Sequence, residues 1–487
     1  MVEPENKNPA ESNEETIQTK ADQLKTQFSK SEDLVWEVLH TESEKYELIY
    51  FDTMADFQYL NQFILPRLND NKGLPLMEHL VTTFQVKDLK EKEVEDIATF
   101  LLQGNILFKI SDGLFGLEAV NLPKREPEES ALETSIRGPK DGFVEDIKTN
   151  ISLVRRRLNS STLCLERYTI GKRSKTKVAL LYLDDVINKE VLKEIQSRLH
   201  KVETDVLTST YELESLVRDK PYSVFPSMDF TGRPDFIVQT LNQGRFAIII
   251  DGNPTVTYAP ISLLVQTKSP EDNYINYAYV SLERIIRMLG IIISGFLPGM
   301  WIAFSSFNIE QIPYLLVATI SVSRFGLPLS AAVEMFIILF LFELFNEAGV
   351  RLPQAIGQTV AVLGGLIVGD AAIRAGLTSP TMLVVAAITY IASFTLVNQS
   401  LSSAVTIIRF AIIILSTIFG LFGVVLGFIL TVFYFSTLTS FGEPYLGSLA
   451  PVSISEISKS FLKLPLQLYR SRTTSTDTDN PDRGGQA

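Results

Sequence analysis

The sequence predicts a composite fold: multi-domain α/β plus all-α membrane, with two tandem cytoplasmic α/β subdomains followed by a polytopic helical transmembrane domain of four to six segments. Three observations carry this expectation. The chain has 487 residues, beyond the ~250–300 at which one core stops growing. No lysine occurs between Lys268 and Lys459, and only nine Asp, Glu, Arg or His residues lie between Met288 and Gly442. Residues before about 280 carry instead a normal globular mix of charged and apolar side chains, with strand-like and helix-like stretches in alternation.

Residues 1–33 hold eight acids and four lysines with few apolar side chains, and read as a disordered acidic tail. They lack the apolar core of a cleavable signal peptide. A first α/β subdomain is expected over 34–121. Residues 46–52 (YELIYFD) have strand composition, 57–68 and 94–102 helical composition, and 105–110 and 116–120 read as short strands. The Pro- and charge-rich residues 122–136 form a linker candidate. A second subdomain is expected over 137–280. It contains a helix at 144–158 ending in Arg155, Arg156 and Arg157, strands at 163–170 and 178–183, and an amphipathic helix at 188–199. Asp251-Gly252 between two apolar runs signals a hairpin. The arginine run reads first as a solvated helix end; an anionic lipid head group or an acidic partner is the functional alternative.

The transmembrane domain is expected over 281–445. A span needs ~20 mostly apolar residues. Residues 284–304 qualify, with a kink at Gly295 and Pro298. Residues 312–322 are too short and read as a half-helix. Residues 329–345, 353–372 and 381–397 are marginal to good, and 403–440 is either one long helix or two broken near Gly420–Gly423. Residues 446–487 carry Lys459, Lys463, Arg470 and Arg472, which places this segment and its polar tail in the cytoplasm.

Composition excludes several functions. The net charge of −12 opposes nucleic-acid binding, which needs a basic excess. A single cysteine, Cys164, allows no internal disulfide and no cysteine-based zinc site. No nucleophile–base, phosphate-loop or dinucleotide motif occurs, so neither an enzyme nor a cofactor is expected.

The candidate functional residues are the charges and polar side chains inside the apolar half. Glu334, Glu343 and Glu347 sit on one expected helix, the latter two four apart on one face, with Arg351 four further on. A lone carboxylate at bilayer centre costs roughly 2.5 kcal/mol or more, so these groups must face protein, water or a partner charge. They either pair at helix ends or line a water-filled path and lock subunits together. Glu334 and Arg324 flank a second break. Arg409, six residues into the last apolar stretch, is expected to snorkel to an interface. Between residues 353 and 376, Gln354, Gln358, Val362, Leu366 and Asp370 fall along one helical stripe, polar at both ends and apolar between, beside Gly365 and Gly369 in a GxxxG. From the residues alone this stripe is either a helix-packing face, the favoured reading, or a pore lining with Val362 at a constriction.

Several blocks in fixed order resemble a known family. Arg137-Gly138-Pro139 with Asn150 and Arg155-Arg156-Arg157-Leu158 is similar to the RGP…N…RRRL block of bacterial spore germination A subunits, the GerA family of nutrient germinant receptors. So are Arg233-Pro234-Asp235, Gly244-Arg245, Pro270-Glu271-Asp272 with Tyr274, Phe342-Glu343, Glu347-Ala348-Gly349, Arg351-Leu352-Pro353, Gly357-Gln358-Thr359, Gly364-Gly365 with Gly369, and Ser440-Phe441-Gly442 with Pro444-Tyr445. Asn346 and Asp370 depart from the family pattern. The resemblance implies a multi-pass protein of the spore inner membrane, with its N-terminal region in the cytoplasm. It implies a transporter-like B subunit and a lipoprotein C subunit as partners, membrane lipid around it, and a homo-oligomer, a pentamer by the family view, that forms a nutrient-gated cation channel. It moves the Gln354–Asp370 stripe from packing face to pore helix, with Gln358 and Thr359 hydrating ions and rings of Glu343, Glu347 and Asp370 favouring cations. A lone secondary transporter and a non-conducting scaffold for the nutrient-sensing subunit are the other two readings.

Overall fold

The computed structural model describes residues 9–40, 45–56, 59–66, 86–110, 113–118, 133, 135–350, 369–447, 449, 461–465, 467, 472, 478, 480 and 482. The chain divides into two compact units. One comprises Met1–Pro221, Ser227–Pro260 and Arg470–Ala487; the other comprises Tyr222–Pro226 and Ile261–Tyr469.

The first unit contains two antiparallel five-stranded sheets. Strands β1 (Leu34–His40), β2 (Lys45–Phe51), β3 (Lys87–Asp88), β4 (Ile106–Ile110) and β5 (Gly113–Leu117) pair in the order β1-β2-β4-β5-β3. The period of two along β2 sends its side chains to opposite faces. Tyr46, Leu48 and Tyr50 pack with Leu60 and Ile64 on one face. Ile49 and Phe51 pack on the other against α1 (Pro9–Gln27) and α2 (Val94–Leu102).

Helix α1 corrects the expectation of a disordered tail over residues 1–33. Ile17, Ala21, Leu24 and Phe28 are all buried, and their spacing of four, three and four places them on one face of a helix. Four apolar side chains in a strongly polar stretch suffice because the sheet supplies the surface that covers them. The linker candidate at 122–136 lies almost wholly outside the described residues.

The second sheet contains β6 (Leu163–Ile170), β7 (Thr176–Leu183), β8 (Asp229–Thr231), β9 (Phe246–Ile250) and β10 (Val256–Ala259), in the order β6-β7-β9-β10-β8. Every residue of β9 is buried. Helices α3 (Ile147–Arg157) and α6 (Pro234–Leu241) pack on it, while α4 (Lys189–Lys201) and α5 (Thr210–Val217) pack on each other. The expected hairpin joins β9 to β10, and Gly252 takes φ +84°, a left-handed conformation that favours glycine.

A buried ion pair fastens the two sheets together. Arg155 Nε and Nη2 donate to the two Asp33 oxygens, each at 2.6 Å. Thr53 Oγ1 donates to the same carboxylate at 3.1 Å, and the guanidinium lies 4.6 Å over the Phe51 ring. Glu32 N also donates to Leu165 O at 3.0 Å. The arginine run is therefore not a solvated end: Arg155 is 1% exposed, Arg157 pairs with Asp141, and only Arg156 among the three faces solvent.

The second unit is helical. Its helices are α7 (Tyr277–Ser306), α8 (Tyr314–Arg324), α9 (Ala331–Val350), α10 (Pro380–Phe394), α11 (Gln399–Phe419) and α12 (Leu421–Thr437); residues 369–374 are also helical. Helices α7 and α11 are long and apolar enough to cross a membrane. Helix α7, 30 residues and so about 45 Å long, is the central element and contacts α9, α10, α11 and α12. A Cβ built on Gly299 would lie 2.6 Å from Ile412 Cγ2, so α7 and α11 approach as closely as they do because residue 299 has no side chain. The apolar stretch from 403 to 440 resolves into two helices. Gly420, at φ +60° and ψ −137°, ends α11 and begins α12; a side chain there would be strained.

We expect Asp33→Asn to lower the stability of the full-length chain by about 3 kcal/mol or more, because it leaves Arg155 buried without its counter-charge. Lys87→Ala, which removes an exposed pair with Glu118, is expected to change stability by less than about 1 kcal/mol. Thermal unfolding of the detergent-solubilised chain checks both; equal shifts would contradict the role assigned to Asp33.

Candidate functional site

The α/β unit offers structural chemistry rather than a reactive centre. Cys164 is buried, and its thiol is pushed up to about 11 by that burial and by the Asp184 carboxylate, which keeps it from acting as a nucleophile near neutral pH. Tyr258 donates to Asp229 at 2.7 Å; burial raises its phenol well above the ordinary value. Arg233 pairs with Asp235 at 2.8 Å, and Arg245 Nε donates to the Pro260 carbonyl at 2.9 Å. Among the described residues no three His, Cys, Asp or Glu gather in a metal-binding group.

The helical unit begins with a polar collar. Pro270–Asn273 forms a 3₁₀ turn, and Asp272 accepts from Arg284 Nε and Arg287 Nη1, both at 2.9 Å. Lys463 Nζ donates to the carbonyls of Asp272 and Ile275. The Ser440–Tyr445 segment closes against the residues just before this turn. Ser440 Oγ accepts from Ile261 N at 3.0 Å, Tyr445 Oη donates to Gln266, and Phe225 packs at steep ring angles among Tyr434, Phe435 and Tyr445. These contacts fix where α7 starts and where α12 ends.

Two of the candidate charges are buried among the helices. Glu334, 1% exposed, lies in the first turn of α9. Its carboxylate accepts from Arg324 Nη2 at 3.3 Å and from Ser379 N at 3.2 Å. Ser379 caps α10, so Glu334 places a negative charge at the positive end of that helix dipole. Glu334 is thus paired with Arg324 in this structure.

Arg409 departs from the sequence expectation. Helix α11 starts at Gln399, so Arg409 stands mid-helix, ten residues and about 15 Å from either end. That distance is beyond the reach of a snorkelling arginine. It is instead 1% exposed, and its Nε donates to the Ser294 carbonyl of α7 at 2.8 Å. The reason lies four residues further along α7. Pro298 has no backbone N–H, so the carbonyl at position 294 loses its helical donor, and Arg409 supplies one. Arg409 Nη2 and Tyr390 Oη are buried with no hydrogen-bond partner among the described residues.

Glu343 is half-buried on α9. Glu347 is exposed. Asp370 pairs with Arg374 at 2.9 Å, both largely exposed. Arg351, Gln354, Gln358, Thr359, Val362 and Leu366 lie outside the described residues. Sequence reasoning missed Ser294, Ser379 and Tyr390. A signal existed for Ser294 alone: a proline inside a long apolar helix always frees the carbonyl four residues earlier.

Residues 22–475 match the family model described as Bacillus/Clostridium GerA spore germination protein. Spore germination protein XA of Bacillus anthracis is 38% identical over 437 residues, 87% of this chain and 88% of its own. Spore germination protein KA of Bacillus subtilis is 32% identical over 447 residues, 90% of this chain and 82% of its own. The crystal structure of the N-terminal domain of the A subunit of the Bacillus megaterium spore germinant receptor GerK3 is 27% identical and covers 49% of this chain and 92% of that one, with a TM-score of 0.37.

If Arg409 serves the carbonyl that Pro298 frees, the two positions are coupled. Arg409→Met is expected to destabilise the chain by about 1–3 kcal/mol, the cost of an unpaired buried carbonyl. In a Pro298→Ala background, where residue 298 donates again, the same substitution is expected to cost measurably less. Additive losses in thermal midpoint would sink this account.

Proposed function

Because this chain belongs to the Bacillus/Clostridium GerA spore germination protein family, we propose that it is the A subunit of a spore germinant receptor and forms an oligomeric, nutrient-gated cation channel in the spore inner membrane. The observation that carries the receptor role is the match from residue 22 to residue 475, which takes in nearly all of both units. Relatives named as spore germination proteins run along most of the chain. In this reading the chain is multi-pass with its N-terminal region in the cytoplasm. It acts with a transporter-like B subunit and a lipoprotein C subunit, and several copies, five by the family view, surround the conduction path.

The acids of the helical unit that are not fully buried, Glu343, Glu347 and Asp370, support conduction chemistry over a purely lipid-facing bundle. Charges inside spanning segments are costly and are kept where they face protein or a water-filled path. The pore helix in this reading is the Gln354–Asp370 stripe. Val362 rings a constriction that gates by dewetting, and Gln358 and Thr359 hydrate the ion. Glu343, Glu347 and Asp370 contribute negative potential. Nutrient bound elsewhere in the receptor biases the ring from a dry closed state to a wet open one.

Val362→Ala is expected to raise ion efflux from spores several-fold without nutrient, and Gln358→Leu to lower nutrient-triggered efflux, both at unchanged protein abundance. Unchanged efflux together with loss of the complex would make this stripe a packing face and the chain a scaffold.

A further inference from the structure

We propose that Glu343, Tyr390 and Arg409 form an internal charge latch: in a second state of the helical unit, the Glu343 carboxylate accepts hydrogen bonds from Arg409 Nη2 and Tyr390 Oη. Three observations lead there. Arg409 is 1% exposed and spends Nε on Ser294 O, while its Nη2 has no hydrogen-bond partner among the described residues. Tyr390 Oη, on a second helix, is likewise buried and unpaired. A buried cation and a buried hydroxyl left so are costly, and a carboxylate satisfies both at once.

Glu343 is the acid placed to do this. It is half-buried on α9, next to the residue that packs on Tyr390. Glu334 is already held by Arg324 and Ser379, Glu347 is exposed one turn further along, and Asp370 pairs with Arg374. One of the contacts between α9 and α10 is Phe342 against Tyr390, with ring centroids 5.0 Å apart. Glu343 is the next residue, about 100° around the same helix. A turn of α9 through part of that angle moves Phe342 aside and brings Glu343 toward Tyr390 and Arg409. The latch thus adds a polar contact joining α9, α10 and α11 in one state that the other lacks. Helix α9 is also the element that leads directly into residue 351 and the stripe beyond it.

The germination readout of this inference rests on the receptor reading above; the latch itself does not. The test is a double-mutant cycle in spores carrying the whole receptor, with chain abundance measured in each strain. Glu343→Gln and Tyr390→Phe are each expected to shift the nutrient concentration for half-maximal germination about tenfold, within the usual range of allosteric coupling. The double variant is expected to shift it no further, because both changes remove one contact. Tyr390→Phe deletes a single oxygen and keeps the ring contact with Phe342, so it tests the latch without emptying the core. The thermal midpoint of the full-length chain in nanodiscs carries the same cycle without any germination readout. Additive shifts in either measurement overturn the latch. So does a shift with Tyr390→Phe but none with Glu343→Gln, which assigns the two donors to water or a small anion. If Val362→Ala is inert in the same strains while the cycle is non-additive, the conduction reading fails and the latch stands.

Discussion

The helical unit is organised around one carbonyl. Pro298 removes the donor that Ser294 O would have had, and an apolar helix surface offers no water to replace it. Arg409 fills the position from α11, and the rest follows from that choice. A guanidinium mid-way along an apolar helix must be enclosed, so α7 and α11 pack closely enough that Gly299 has no room for a side chain. The same cation needs negative charge within reach, and α9 carries it. A kink, a buried charge and a close helix crossing are therefore one feature rather than three.

The same logic recurs in the α/β unit. Arg155, Arg233, Arg245 and Arg409 are among the largest fully buried side chains of the described residues. Each spends hydrogen bonds on a fixed partner: Asp33, Asp235, the Pro260 carbonyl and the Ser294 carbonyl. An arginine suits this use because its planar fork keeps its charge and bonds two acceptors in a set geometry. Three of the four stand in the sequence blocks that carry the family resemblance. Those blocks identify the family through its framework: Asn150, in the same blocks, is buried and clamps both backbone groups of Val144, and Asp272 ties the turn before α7 to its second and third turns.

How much of this was legible in the sequence depends on the range of the interaction. Local signals read well: the strand periodicity at 46–52, helix 94–102, the Asp251-Gly252 hairpin and the break at Gly420 are set by residues within a few positions of each other. Long-range partners did not. The helix over Pro9–Gln27 looked disordered because its four apolar contacts need a sheet built from residues 34–117. Arg155 looked solvated because its partner lies 122 positions away. Arg409 looked able to snorkel because the start of its helix, at Gln399, is polar and was placed four residues too late. The stripe from Gln354 to Asp370 was legible as a pattern, and the pattern alone favoured packing over a pore lining.

The placement of pinned and unpinned charge bears on what the helical unit does. Glu334 is fixed from two sides, by Arg324 and by the capped start of α10, so the first turn of α9 is held. Nine residues along the same helix, Glu343 has a half-buried carboxylate whose neighbours Tyr390 and Arg409 keep unused hydrogen-bonding atoms. The first turn of α9 is therefore anchored. In the latch proposed above, the partners of Glu334 stay while those of Glu343 change. An evenly pinned helix would add stability and transmit nothing, since a ligand shifts an equilibrium only when the two states differ in their contacts. Under the latch proposed above, α9, rather than the tightly packed α7 and α11, is the element whose polar contacts differ between the two states.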